Sequence, residues 1–70
     1  MTRPEIVEAY GERLKEIELE HDLDWYKAQQ LSEGERIDAE SKAHEARQSA
    51  ENRAANDFKD AIVESYLDEI

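Results

Sequence analysis

The apolar positions in the first thirty residues recur at the spacing of an α-helix. Steps of three and four residues connect Val7, Tyr10, Leu14, Ile17, His21, Asp24, Ala28 and Leu31, a series that is apolar at both ends and polar at His21 and Asp24. This spacing aligns the eight side chains on one helix face, like the seam of a coiled coil. Thr2 and Glu5 have the spacing of a capping box, and Pro4 is tolerated in the first turn. The pattern predicts a first helix over about residues 3–30.

The second half of the chain has an inner face made of alanine. Between Ile37 and Phe58 there is no Leu, Ile, Val, Met or aromatic residue, yet alanines recur at positions 39, 43, 46, 50 and 54. Ser32 and Glu35 form a second capping-box pattern. We therefore predict a turn over about residues 31–34 and a second helix over about residues 33–68.

Two positions weaken the predicted helices. Asn56 and Asp57 are favoured as helix caps, so a kink near residue 56 is allowed in the second helix. A shorter break is allowed at residues 22–24, because Asp side chains compete with the helix for backbone hydrogen bonds.

A turn near residue 33 brings residues at equal distances from it face to face. Ile17 then lies opposite Ser49 and Ala50, and His21 lies near His44. Large side chains on one helix and alanines on the other allow two helices to interdigitate at close separation. Nearer the chain ends, we expect a C-terminal cluster of Phe58, Ile62, Val63, Tyr66, Leu67 and Ile70 to cover Ile6, Val7 and Tyr10. The predicted fold is all-α: residues 1–70 form a single domain, an antiparallel hairpin of two long helices.

Several apolar residues fall outside this packing face and indicate a partner. They are Ile6, Leu19, Leu23 and Tyr26 in the first helix and Val63 and Ile70 in the second. A second copy would complete a four-helix bundle as a homodimer, and a different protein is the alternative.

Composition narrows the class of function. The net charge is −10, from 19 acidic and 9 basic residues, which disfavours direct binding to nucleic acids or anionic membranes. There is no cysteine, no apolar run long enough to span a membrane and no signal-peptide core, so we expect a cytoplasmic protein. Without a nucleophile beside a base or a glycine-rich phosphate loop, we expect no enzymatic activity and no cofactor.

A row of acids in the first helix is the most unusual feature of the sequence. Glu8, Glu12, Glu16, Glu20 and Asp24 recur every four residues. Like charges at this spacing cost a helix about 0.2–0.5 kcal/mol per pair. The row is either a solvated face or a binding surface that imitates a phosphate strand, with carboxylates about 6 Å apart along the helix.

We expect these five acids and Tyr26 to contact a basic partner, such as a nucleic-acid-binding protein. Aromatic residues are enriched at the centres of protein interfaces, which is why Tyr26 is included. Size and charge are typical of phage-encoded inhibitors of host proteins. The leading hypothesis is therefore an acidic interaction module that inhibits or modulates such a protein, and the alternative is a structural homodimerisation module.

His21 and Glu18 have the Glu-x-x-His spacing found in metal sites of helical bundles. With these residues, the segment Asp24-Trp25-Tyr26 resembles the short two-helix ferritin-like proteins stored in encapsulin shells, which implies a carboxylate and histidine metal site as a third hypothesis. The second helix lacks the matching pair, since Ser41 stands three residues before His44. We therefore assign no metal ligands and interpret both histidines as polar residues that set the helix register.

Overall fold

The computed structural model describes residues 2–69 and consists of two antiparallel α-helices. Helix α1 spans Arg3–Ala28 and helix α2 spans Glu33–Leu67. Arg3 pairs with Glu69 at one end, and Gln29 Nε2 donates a hydrogen bond to Glu40 Oε1 at 3.0 Å near the turn. The Cα atoms fill an envelope of 57 × 15 × 8 Å. The all-α prediction is confirmed, and the described residues contain no strand.

The two helices begin differently. At α1 the capping box is present: the Thr2 side chain accepts from the Glu5 backbone N–H, and the Glu5 carboxylate accepts from the Thr2 N–H. The hydrogen bonds from Thr2 lower the pKa of Glu5 below its ordinary value. At α2, Ser32 occupies the N-cap position, but its side chain makes no capping hydrogen bond. The second capping box predicted from Ser32 and Glu35 is therefore wrong.

Both helices are uninterrupted. Residues 22–24 continue α1, and α2 runs for 35 residues through Asn56. The kink near residue 56 and the break at residues 22–24 do not form. Each weak segment lies beside a residue buried against the opposite helix, His21 in α1 and Ala54 in α2. Packing between helices thus outweighs local propensity, as it commonly does.

The helices pack large side chains on alanine, in the predicted register. Ile17 is 8% exposed and borders a small cavity beside Ala43 and Ala50. Nearer the chain ends, the rings of Tyr10 and Phe58 stack with centroids 4.5 Å apart. The buried apolar residues are Ile6, Ile17, Ala28, Ala43 and Ala54. The core that residues 2–69 form is thin, because three of these five residues are alanines.

The predicted seam shifts by one residue at the start of α1. Ile6 is 5% exposed, whereas Val7 is 54% exposed. The prediction that Ile6 lies outside the packing face is therefore wrong, and so is the prediction that Val7 is covered. A helix turn of 3.6 residues explains the difference, since Ile6 lies four residues before Tyr10 and eleven before Ile17, close to whole turns.

Apolar side chains remain exposed near the chain ends. Val63, Tyr66 and Leu67 are about half exposed or more, at 48%, 53% and 61%. Ile70, the last residue of the predicted cluster, lies outside the described residues. Neither helix within residues 2–69 has an apolar stretch long enough to cross a membrane.

Substitution of Ala54 tests the alanine packing. Ala54 is 1% exposed, so Ala54→Leu adds three carbons at a buried position between the helices and should lower the free energy of unfolding by about 1–3 kcal/mol. Its neighbour Ala55 is exposed and serves as the matched control: Ala55→Leu should change stability by less than about 0.5 kcal/mol. Urea unfolding measures both, and equal effects would contradict the proposed packing.

Candidate protein-interaction surface

The five acids of the row are all exposed, but they do not share one face of α1. Four residues exceed one helical turn, so each step rotates about 40° around the axis and the whole row turns by about 160°. Glu20 and Asp24 border the cavity of about 40 Å³ between the helices, together with Ala46. Glu8, Glu12 and Glu16 do not border it. The acid row therefore winds around α1, with Glu20 and Asp24 lying beside α2 and Glu8, Glu12 and Glu16 lying farther from it.

Few cations neutralise this row. Lys15 Nζ lies 3.6 Å from Glu12 Oε1, and this is the one salt bridge that any of the five acids makes within residues 2–69. Other acids of the chain are better paired: Arg13 Nη1 lies 2.6 Å from Asp57 Oδ2, for example. The row thus keeps most of its negative charge available to a partner.

Three large apolar side chains lie among these acids on the side of α1 opposite α2. Leu19, Leu23 and Tyr26 are 63%, 59% and 67% exposed. Their spacing of four and three residues aligns them along the helix axis. We call these three residues the outer stripe. The exposure of Tyr26 leaves it accessible to a partner, and its contact with one remains a prediction.

A shallow groove lies next to the outer stripe, on the side of Leu14, and shares Leu19 with it. It is widely open to solvent, with a volume of about 450 Å³, and the residues that line it all belong to α1: Leu14, Lys15, Glu18, Leu19 and Asp22. The Glu18 carboxylate also reaches α2, where Arg47 Nη1 lies 3.7 Å from its Oε2. The groove therefore has apolar walls with carboxylates at its edge, a combination that accepts an amphipathic side chain such as arginine or lysine.

The two histidines meet between the helices, as predicted. Their ring centroids lie 5.1 Å apart, and the Trp25 ring packs 5.2 Å from His44. His21 is 9% exposed, and neither of its ring nitrogens has a hydrogen-bond partner among the described residues. The nearest carboxylate oxygen, Oδ1 of Asp22, is 3.9 Å from Nδ1, too far for a hydrogen bond.

These histidines do not build a metal centre within the described part of the chain. No group of three or more His, Asp or Glu residues between positions 2 and 69 is arranged to hold a metal ion. His44 is exposed, and Ser41 occupies the position from which a carboxylate would reach it. The geometry instead places an aromatic contact of His21, Trp25 and His44 where the two helices meet.

A second exposed apolar cluster lies at the end of the hairpin that holds Arg3 and Glu69, and sequence reasoning recognised only part of it. It comprises Val7, Val63, Tyr66 and Leu67. The Arg3 guanidinium carbon lies 4.2 Å from the centroid of the Tyr66 ring. A hydrogen bond with Tyr66, followed by the nearby Glu69 charge, raises the pKa of Arg3. We call these four apolar residues the end cluster. Val63 was the clearest signal for it, since its position falls opposite the alanine face of α2.

Known proteins offer no further guide to this surface. No protein-family model matches the chain, and neither does a curated protein or a solved structure. The exposed groups described above are therefore the basis for assigning a function.

The unpartnered His21 ring yields a stability prediction. Burying a polar group without a hydrogen bond costs about 1–3 kcal/mol, so His21→Leu should raise the free energy of unfolding by about 1–2 kcal/mol. His44→Leu, at the exposed histidine of the same contact, should change it little. Chemical unfolding followed by circular dichroism measures both. A loss of stability in His21→Leu would contradict the unsatisfied state of this ring.

Proposed function

We propose that this hairpin is a small acidic interaction module that binds a basic protein through the outer side of α1. By binding, it inhibits or modulates that partner. The supporting observation is the exposed acid row, in which one of five carboxylates is paired with a cation within residues 2–69. A thin core leaves little stability to spare, so repulsive charge kept unpaired on the surface is more consistent with use in binding than with a structural role.

Electrostatics favours a partner with a broad basic surface. Opposite charges accelerate encounter and limit binding to complementary surfaces, and the effect weakens as salt screens it. Nucleic-acid-binding proteins carry such surfaces because they neutralise phosphates. A nucleic-acid-handling protein is thus the partner class that best fits a chain with a net charge of −10.

Inhibition would follow from competition for the partner's cations. Glu8, Glu12 and Glu16 point away from α2, and successive carboxylates are separated by about 6 Å along the axis. A partner that pairs its lysines or arginines with these groups can no longer offer them to phosphates. The module would then act as a partial nucleic-acid mimic. The phage-encoded inhibitors suggested by the size and charge of the chain are one setting for such an activity.

Neutralising these acids tests the proposal. A triple variant combines Glu8→Gln, Glu12→Gln and Glu16→Gln. It should no longer capture basic proteins from a bacterial lysate in a salt-sensitive way, because three exposed charges are removed from one face. The matched control combines Glu45→Gln, Asp60→Asn and Glu64→Gln, three exposed acids of α2 that form no salt bridge within the described chain. It loses the same net charge and should retain its captured proteins.

The measurement is quantitative mass spectrometry of captured proteins at about 50 and about 200 mM salt, a range over which multiple charge contacts weaken strongly. Circular dichroism should show that both variants remain helical. The proposal is wrong if the α2 variant loses the same proteins as the α1 variant, or if the captured proteins resist the higher salt concentration.

Homodimerisation is a second candidate function, supported by the large solvent-accessible surface area of the chain. The chain exposes 5534 Å², whereas a folded monomer of its mass, 8.2 kDa, typically exposes about 4,500 Å². The excess of about 1,000 Å² is comparable to the 800 Å² or so that each partner buries in a standard interface. Pairing of two hairpins through the end cluster would form a four-helix bundle and cover part of this excess.

Sedimentation equilibrium distinguishes this candidate. A homodimer should have twice the mass of one chain, and its association should become stronger with added salt, because the two negatively charged chains then repel each other less. The double variant Val63→Gln and Leu67→Gln should be monomeric. Leu19→Gln, a similarly exposed leucine away from the end cluster, should remain dimeric. A single species with the mass of one chain at all concentrations would rule the dimer out.

A further inference from the structure

The outer stripe is an apolar line that the hairpin does not use. Leu19, Leu23 and Tyr26 each expose more than half of their surface, and they span two turns of α1, about 10 Å along the axis. Isolated exposed leucines are common in proteins, but aligned ones form a continuous apolar patch, which is typical of interaction sites. This patch lies opposite α2 and so contributes nothing to the packing of the two helices.

Carboxylates border the outer stripe on both sides. Glu16 and Glu20 lie along one side, and Glu18 and Asp22 lie along the other, where the groove of about 450 Å³ opens. From residue 16 to residue 24 there is no lysine or arginine. The nearest cation on the N-terminal side, Lys15, is already paired with Glu12 at 3.6 Å. Three of the four bordering carboxylates, those of Glu16, Glu20 and Asp22, form no salt bridge with a lysine or arginine within residues 2–69, whereas Glu18 pairs with Arg47.

We infer that the outer stripe binds a basic amphipathic helix of the partner protein, an inference that rests on the proposed function and specifies its partner. Helices that dock on an apolar surface do so through residues at i, i+3 or i+4 and i+7. The complementary helix carries apolar residues at this spacing, with lysine or arginine on both flanks. Its apolar residues cover Leu19, Leu23 and Tyr26, and its cations reach the bordering carboxylates.

The groove on the Leu14 side receives one long side chain of that helix. Leu14 and Leu19 form its apolar part, and the Asp22 carboxylate stands at its edge beside Glu18, which pairs with Arg47. Lys15 also lines the groove, with its charged end directed to Glu12. An arginine or lysine side chain matches this arrangement, because its methylene groups pack on leucine while its charged end pairs with a carboxylate. The groove thus fixes where the docking helix can lie along α1.

Other occupants of the stripe are less complementary. A second copy packed on this face would bring its own Glu16, Glu20 and Asp22 against the same acids, and like charges facing each other oppose association. A basic nucleic-acid channel matches the carboxylates but has no reason to present apolar groups to two leucines and a tyrosine. The amphipathic basic helix is the occupant that satisfies both kinds of group.

Two peptides of identical composition test the inference. Each contains leucine and lysine and is about 18 residues long, enough for five helical turns. In the amphipathic peptide the leucines follow the spacing i, i+4, i+7, i+11, and in the permuted peptide they are spread around the helix. Fluorescence anisotropy should show the amphipathic peptide binding the protein at least about tenfold more tightly, the effect expected from burying one or two leucines.

Leucine variants locate the binding site. Leu23→Gln should reduce the preference for the amphipathic peptide by about tenfold, and Leu19→Gln should have the same effect. Ile37→Gln is the matched control, since Ile37 in α2 and Leu23 in α1 are both 59% exposed. This control should keep the full preference. Circular dichroism should show all three variants to be as helical as the parent protein, because the replaced side chains are exposed.

The outcomes separate this inference from the proposed function. If both peptides bind equally and binding falls in the Glu8, Glu12 and Glu16 variant, charge alone governs binding, and the docking helix is ruled out while the proposed function stands. If neither peptide binds while basic proteins are still captured through Glu8, Glu12 and Glu16, the docking helix is ruled out and the proposed function stands. If that capture is absent as well, both proposals are wrong. If Leu23→Gln instead dissociates a dimer of the chain, a second copy covers the outer stripe and the inference is overturned.

Discussion

The close approach of α1 to a helix face made of alanine determines how this hairpin is built. Ile17 and Ala43 border one space between the helices, and Ile6 and Ala54 border another; large side chains opposite alanines interdigitate at short range. Alanine buries little apolar surface, however, and no large side chain between positions 2 and 69 is fully buried. The stability gained from the hydrophobic effect is correspondingly small. A narrow contact of this kind cannot cover wide apolar helix faces, so the other sides of both helices remain available for binding.

The register of the hairpin could be predicted from the sequence because two simple constraints determine it. The turn near residue 33 sets which residues face each other, and the alanine spacing identifies the inner face of α2. Ile17 beside Ala50 and Tyr10 stacked on Phe58 both follow from these constraints. The exchange of Val7 for Ile6 could not be predicted, because steps of three and four residues fit either residue equally well. Only the phase of a real helix of 3.6 residues per turn distinguishes them.

Local sequence signals were less reliable than this long-range pattern. The capping box formed at Thr2, but Ser32 made no equivalent hydrogen bond. The weak helix formers at Asn56 and at residues 22–24 did not interrupt their helices, because both segments belong to elements held by contacts along their whole length. Local preferences amount to about 1 kcal/mol or less per residue, and helix packing readily exceeds this. For the candidate surface, sequence predicted the exposed acids but overlooked the rotation that separates Glu8 from Asp24.

The pairing of Arg3 with Glu69 has a consequence for how the molecule can be connected to others. Arg3, near the first residue, and Glu69, near the last, thus lie side by side. The turn at Ser32 lies at the opposite end of the hairpin, which is 57 Å long. A linker attached to either terminus therefore leaves from the same pole. Whatever is fused there projects away from the turn and from the middle of α1. A reporter or immobilising tag at that pole should thus leave the flanks of the rod unobstructed, whichever terminus carries it.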